Sequence, residues 1–223
     1  IVQTCVSRAV AEFHSRKIGV DPEMLPVVYN GLTFPDKLTK EHIQQLRQEW
    51  GMQDCQKVIG SVGRLNQQKG YTWLLTELQD LVVPSGETWG FVLLGEGEER
   101  SSLEALAQQL PINLKCVTPG FRKDAASCIG AYDCFVMPSK YEGFGLTLIE
   151  AMSHGVPIVT TDVDSLPELM THYENGYCVA KADFVPHILQ ALELPVVEGS
   201  KLFKAETMVD EYFKIYEGLL LRR

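Results

Sequence analysis

Along this chain, short unbroken apolar runs alternate with longer stretches in which apolar positions return every three or four residues. The runs Pro26–Tyr29, Lys57–Gly63, Trp89–Leu94, Leu114–Val117, Cys134–Met137, Pro157–Thr160 and Gly176–Val179 are mostly rich in Val, Ile and Phe, with little alternation. Such runs read as strands buried on both faces. Between them, Lys40–Trp50, Tyr71–Leu81, Glu98–Gln109, Gly145–His154 and Phe184–Leu192 have helical periodicity, and Ser165–Met170 reads as a short helix. Repeated strand–helix–strand units predict an α/β fold: a Rossmann-like, mostly parallel sheet with right-handed crossovers and helices on both faces.

The two ends depart from this alternation. Residues 1 to about 18 read as a strand and a helix closed by Gly19-Val20-Asp21-Pro22. Residues 203–223 read as one long amphipathic helix, with Met208, Tyr212, Ile215, Tyr216 and Leu219 at helical spacing. The sheet offers no evident surface for either end, which points to a partner domain.

Composition narrows the class. The 223 residues, 45% hydrophobic and 22% charged, suit one large globular domain or one with a fragment. Apolar runs such as Phe91–Leu94 fall far short of the ~20 residues that span a bilayer, so no transmembrane segment is expected. No basic start followed by an apolar core marks a signal peptide. The first residue is Ile1, as in a piece of something longer. Twenty basic against twenty-nine acidic residues give a charge of −9, which disfavours a nucleic-acid partner because phosphate neutralisation needs clustered Lys and Arg. A small anion remains compatible, since one or two placed cations and backbone N–H groups can hold a phosphate. Six cysteines form no C-x-x-C pair; they read as buried free thiols, and the location expected is cytoplasmic. The five histidines form no H-x-x-x-H pair or Cys/His cluster, so no metal site is expected.

In open parallel sheets, ligands sit beyond the C-terminal strand ends, so the loops that follow strands carry the chemistry. Gly63-Arg64-Leu65-Asn66-Gln67-Gln68-Lys69-Gly70 lacks the phosphate-loop spacing. It does place two cations in one loop, matching a diphosphate or simply facing water. Gly95-Glu96-Gly97 reads as a strand-to-helix turn, because Arg100 stands where a dinucleotide fingerprint needs its third glycine. Pro138-Ser139-Lys140-Tyr141-Glu142-Gly143-Phe144-Gly145 leads into a helix. Gly143 and Gly145 permit close backbone approach, and the N–H groups of the first helical turn are free for an anion. Glu150 lies in that helix and tilts back toward the loop. Carboxylates this close to a phosphate site suit ribose or hexose hydroxyls, although a charged residue on a half-exposed helix face is the plainer alternative for Glu150.

Taken in order, Gly63-Arg64-Leu65…Lys69-Gly70, Leu94-Gly95-Glu96-Gly97-Glu98…Arg100, Glu142-Gly143-Phe144-Gly145-Leu146…Glu150-Ala151-Met152…Gly155-Val156-Pro157, Leu166-Pro167-Glu168 and Asn175-Gly176 resemble the C-terminal, donor-binding domain of the group-1 (family 4) retaining glycosyltransferases of the GT-B fold. Glu142 and Glu150 match that family's E-x7-E motif, and Asn30-Gly31 resembles its N-G turn. The resemblance runs from about residue 24 to 180.

The resemblance implies transfer of a sugar from a UDP-, GDP- or ADP-sugar to an acceptor with retention, and no required cofactor beyond that donor. Arg64 and Lys69 would clamp the diphosphate beside Gly63, and Glu142 would bond hydroxyls of the transferred sugar. Backbone N–H groups of Phe144, Gly145 and Leu146, next to Gly143, would meet sugar and phosphates, and Glu150 would hold the ribose. The turn Pro119-Gly120-Phe121-Arg122 would lie near the base. Asp162-Val163-Asp164 spells D-x-D, a metal motif in a different glycosyltransferase fold; caps for the short Ser165 helix are the simpler expectation. It stands where the family usually has a glycine-rich turn. The resemblance also implies three parts: 1–20, a remnant of a preceding acceptor domain, with Ser7 at the end of its strand; 21–200, the nucleotide-sugar-binding domain; and 201–223, a helix returning to the first. Peripheral membrane contact would come through that missing domain. The alternatives are a non-catalytic nucleotide-sugar-binding module and a GT-B-fold sugar-nucleotide epimerase.

Overall fold

The computed structural model describes residues 2–200 and 202–221. Six strands, β1 (Lys57–Val62), β2 (Trp89–Leu94), β3 (Leu114–Gly120), β4 (Cys134–Met137), β5 (Ile158–Thr161) and β6 (Gly176–Val179), form one sheet in the order β3-β2-β1-β4-β5-β6. Every neighbouring pair is parallel. This is the Rossmann-like sheet that the strand–helix repeats predict. Every residue of β2, β4 and β5 is buried, as is β1 after Lys57, whereas β6 at one edge is half-buried throughout. Unbroken apolar runs therefore mark the inner strands, which are covered on both faces.

The helices are α1 (Arg8–Ile18), α2 (Lys40–Glu49), α3 (Tyr71–Glu77), α4 (Arg100–Ala107), α5 (Ala125–Cys128), α6 (Leu146–His154), α7 (Leu166–Met170), α8 (Phe184–Ala191) and α9 (Ala205–Leu220). Two cores flank the sheet, because successive strand side chains point to opposite faces. Val58, Val62, Phe135 and Met137 pack with Leu46, Leu148, Met152 and Leu166 of α2, α6 and α7. Ile59, Cys134 and Val136 pack with Leu74, Leu103 and Ile188 of α3, α4 and α8.

Several boundaries differ from the sequence reading. Pro26–Tyr29 is not a strand of the sheet: Val27 makes a single bridge to Cys5, and Pro26, lacking an N–H, contributes only its carbonyl. The expected N-terminal strand likewise reduces to Cys5, and Ile1 lies outside the described residues. Strand β3 runs on through Pro119 and Gly120, joining Leu94 opposite Gly120 after a register shift, so half of the expected 119–122 turn is strand. Helix α4 starts at Arg100 rather than Glu98, and α3 tightens into a 3-10 turn at Leu78–Asp80.

The N-terminal end finds a surface on the body, contrary to expectation. Ser7 caps α1 by accepting the Val10 N–H at 3.1 Å. The Glu168 carboxylate of α7 accepts the Arg8 N–H at 3.0 Å and the Tyr29 hydroxyl at 2.6 Å. An anion beneath a helix start satisfies free donors and the helix dipole together. Helix α9 is tied at its start by a Leu32–Lys204 bridge, yet none of its residues is buried. Of the 203–223 helix expected from sequence, Arg222 and Arg223 lie outside the described residues.

Candidate functional site: a crevice between the β1 and β4 loops

In this strand order the chain reverses direction between β1 and β4, where an open parallel sheet leaves a crevice at its C-terminal edge. The loops after these two strands form its walls and are joined backbone to backbone. The Lys140 N–H donates to the Gln68 carbonyl at 2.8 Å, and Gln68 Nε2 donates to the Tyr141 carbonyl at 3.1 Å. Gly70 makes this approach possible, since a Cβ there would lie 2.0 Å from the Pro138 oxygen. Gly63 is required sterically: its Cβ would meet the buried Tyr71 hydroxyl at 2.8 Å and Lys69 Cε at 3.3 Å.

Across this junction Lys69 Nζ meets Glu142 Oε2 at 2.5 Å, with both side chains largely shielded, 15% and 12% exposed. The pair unites two residues expected at the site. Arg64 is exposed and, among the described residues, has no ion-pair partner. It lines a cleft of about 300 Å³ with Gly63, Gly95, Glu96, Phe121 and Arg122. Phe121 is 71% exposed on that wall. Arg122 shares the wall, but its guanidinium is taken up by Glu49 at 3.0 Å and Asp124 at 2.9 Å. These bonds hold its pKa above the ordinary arginine value, so its fork is committed within the protein.

Gly145 opens α6 in a left-handed conformation, φ +91°, which favours glycine, and no side chain caps the helix. The N–H groups of its first turn therefore have no side-chain acceptor at the cap position. Gly143 differs from Gly145: a Cβ there would meet nothing within 4 Å, so its lack of a side chain leaves open space. The Phe144 ring is buried against Tyr29 and Phe203, which leaves only its backbone available to a ligand. Leu146 is 45% exposed. Glu150, one turn into α6, is half-buried. Among the described residues no hydrogen bond or ion pair reaches its carboxylate, and burial pushes its pKa up to about 7.

Asp162 and Asp164 do not cap α7 as expected. No side chain caps that helix; Asp164 Oδ2 instead accepts the Glu142 N–H at 2.7 Å. Ser165 Oγ donates to the carbonyls of Glu142 at 3.2 Å and Phe144 at 3.0 Å. Asp164 has φ +47°, a backbone that explains why a glycine-rich turn suits this place and why Asp can replace it. The sequence reading missed both residues as supports of the loop. Their signal, a polar Asp-Ser pair after a buried strand, names no partner by itself. Among the described residues, no group of three or more His, Cys, Asp or Glu side chains is arranged to hold a metal ion. No helix among them is long and apolar enough to cross a membrane.

Known proteins resemble this chain in sequence and in fold. An uncharacterized glycosyltransferase of Methanocaldococcus jannaschii is 32% identical over 179 residues, covering 78% of this chain and 45% of its own length. The lipopolysaccharide core biosynthesis mannosyltransferase LpsB of Rhizobium meliloti is 28% identical over 190 residues, covering 76% of this chain and 54% of that protein. The chain thus spans about half the length of these curated relatives. Among solved structures, Anabaena HepE in complex with UDP superposes with a TM-score of 0.78 at 24% identity, over 97% of this chain and 64% of that one; at this identity the likeness concerns the fold. The family described as glycosyl transferases group 1 matches residues 42–207, most of the chain and every residue of the crevice, and to that family this protein belongs.

Proposed function

We propose that the chain is the donor-binding part of a retaining glycosyltransferase acting on a nucleoside diphosphate hexose. The observation that carries this is the crevice between β1 and β4, where Lys69 meets Glu142 beside the unpaired Arg64 and the uncapped start of α6. Arg64 and Lys69 clamp the diphosphate, Arg by a two-toothed fork and Lys as a point charge. Backbone N–H groups from Phe144 to Leu146 add donors, and Glu142 accepts hydroxyls of the sugar. Glu150 accepts from the ribose, and Phe121 with the neighbouring main chain borders the base. Arg122 shapes that wall and leaves the ligand to others.

In the reaction the bond from the anomeric carbon to the β-phosphate oxygen breaks, and a bond to an acceptor hydroxyl oxygen forms on the same face. The acceptor proton leaves with the diphosphate. Catalysis rests on positioning and on cations preorganised around the leaving diphosphate. Residues 1–20 and 201–223 belong, on this reading, to the junction with an acceptor domain. The exposed stripe of Val209, Phe213, Tyr216 and Leu220 along α9 supports that view. HepE, solved with UDP-glucose, and LpsB, a mannosyltransferase, make UDP-glucose and GDP-mannose the first donors to try.

A thermal-shift panel of UDP-, GDP- and ADP-sugars tests this, because a ligand at about 100 Kd stabilises by roughly 2.7 kcal/mol. We expect one nucleotide class to raise Tm, equally with and without EDTA, and the 223-residue chain to transfer little sugar. No shift with any donor would refute donor binding, and robust acceptor glycosylation by this chain would refute the division into parts. Loss of the shift on chelation would overturn the reliance on Arg64 and Lys69.

A further inference from the structure

We propose that Asp164 is a positioning residue for Glu142, fixing the peptide from which that carboxylate reaches the transferred sugar; this rests on reading the crevice as a donor site. Among the described residues, Asp164 is the one non-glycine residue with positive φ, at +47°. Side chains are disfavoured there, and Asp is tolerated mainly when its short polar group finds a bond. Here the bond is not local. Oδ2 reaches the Glu142 N–H at 2.7 Å, from 22 residues away in sequence.

The next residue completes the hold. Ser165, fully buried, donates its hydroxyl to the Glu142 carbonyl at 3.2 Å and to the Phe144 carbonyl at 3.0 Å. Consecutive residues thus grip both backbone groups of Glu142. With the peptide fixed, only side-chain torsions remain to aim the carboxylate, and Lys69 at 2.5 Å restrains those. The grip is itself anchored. Helix α7 follows directly, and its Glu168 is bound by the Arg8 N–H and the Tyr29 hydroxyl. Strained backbone persists where its surroundings over-determine it, and such strain gathers at functional sites.

The geometry separates two effects of one substitution. Asp164→Gly relieves the strain but removes the grip, so the fold should be kept or strengthened while the Glu142 loop loosens. Asp164→Asn keeps tolerance of positive φ and offers a neutral oxygen, so it should lie between Gly and wild type.

The experiment uses the full chain and two readouts. Amide hydrogen exchange at Glu142, followed by NMR, needs no ligand; calorimetry then compares UDP-glucose with UDP, and GDP-mannose with GDP. In Asp164→Gly we expect exchange at Glu142 to rise about tenfold, the value of a hydrogen bond to a charged group, with Tm unchanged or higher. Affinity for the cognate sugar conjugate should fall about tenfold, with the bare diphosphate within about twofold. Asp164→Asn should show about a threefold change in each affected readout, and it carries the comparison should Asp164→Gly fail to fold. Wild-type exchange at Glu142 in both variants would overturn the proposal, as would equal losses for sugar conjugate and bare diphosphate. If the wild-type chain binds neither these ligand pairs nor any other donor of the UDP-, GDP- and ADP-sugar panel, the donor-site reading falls, and the exchange result alone decides whether Asp164 holds Glu142; a different donor that binds replaces these pairs in the calorimetry.

Discussion

Glu142, on the loop after β4, and Glu150, in the helix that this loop opens, stand in contrasting surroundings. Glu142 meets Lys69 at 2.5 Å, while the Glu150 carboxylate has no partner among the described residues and burial raises its pKa to about 7. The cations on the β1–β3 side divide in the same way. Arg122 is held by Glu49 and Asp124; Arg64, on the same cleft, has no ion-pair partner among the described residues. A charge already paired has its electrostatic demand met within the protein. An unpaired one is met by water where it is exposed, as at Arg64, and costs stability where it is half-buried, as at Glu150; a ligand can meet either. On the donor-site reading proposed above, Arg64 and Glu150 are the groups whose charges a bound nucleotide would meet.

The largest effect should come from Arg64. Arg64→Ala should weaken the cognate diphosphate and its sugar conjugate about a hundredfold, the value of two charge-assisted bonds. Arg122→Ala should change either by less than about threefold, since its fork is engaged elsewhere. Calorimetry on both variants decides the matter, and the reverse ranking would break the distinction between paired and unpaired cations.

A smaller effect, read on stability, concerns Glu150. Its folded pKa of about 7 lies above the ordinary carboxylate value, so between about pH 4.5 and 7 the native state binds more protons than the unfolded chain. This term therefore favours the fold most at low pH, and the benefit is lost as pH rises through 7. Glu150→Gln should be more stable than wild type at pH 8 by up to about 2–3 kcal/mol, with the gain shrinking toward zero near pH 5. Urea unfolding at both pH values checks this. The same variant should bind the cognate diphosphate about tenfold more weakly if the carboxylate holds the ribose.

The smallest effect would sharpen the comparison from the paired side. Glu142→Gln releases Lys69, so the bare diphosphate should bind about two- to fourfold more tightly while the sugar conjugate does not gain. Weaker binding of the bare diphosphate would mean that Lys69 does not serve it.

Much of this was legible from residue order alone. The inner strands announced themselves as unbroken apolar runs because both faces are covered, and the loops at their ends could then be read for chemistry. What stayed hidden depends on long-range contact. Asp124, two residues on, hints that Arg122 is engaged, but its other partner, Glu49 on α2, lies 73 residues away, and nothing near Arg122 in sequence signals that one. Asp164 looked like a helix cap because capping is the local use of such a residue, whereas its partner lies on the preceding strand's loop. Pro26–Tyr29 carried a strand's composition but lies outside the sheet, where composition cannot say which edge a segment will find.

The strand order has a consequence for how the chain is made. β1 lies in the interior of the sheet, flanked by β2 and β4, and its junction with the β4 segment includes the Val58 N–H donating to Asp133, 75 residues later. At about 5–20 residues per second on the ribosome, β1 emerges roughly 4–15 seconds before that neighbour exists. Through that interval one side of a strand whose residues from Val58 to Val62 are all buried in the fold has its peptide groups unpaired, an open template for any other extended segment nearby. That interval closes only when the β4 segment pairs with β1 and gives the crevice its second wall.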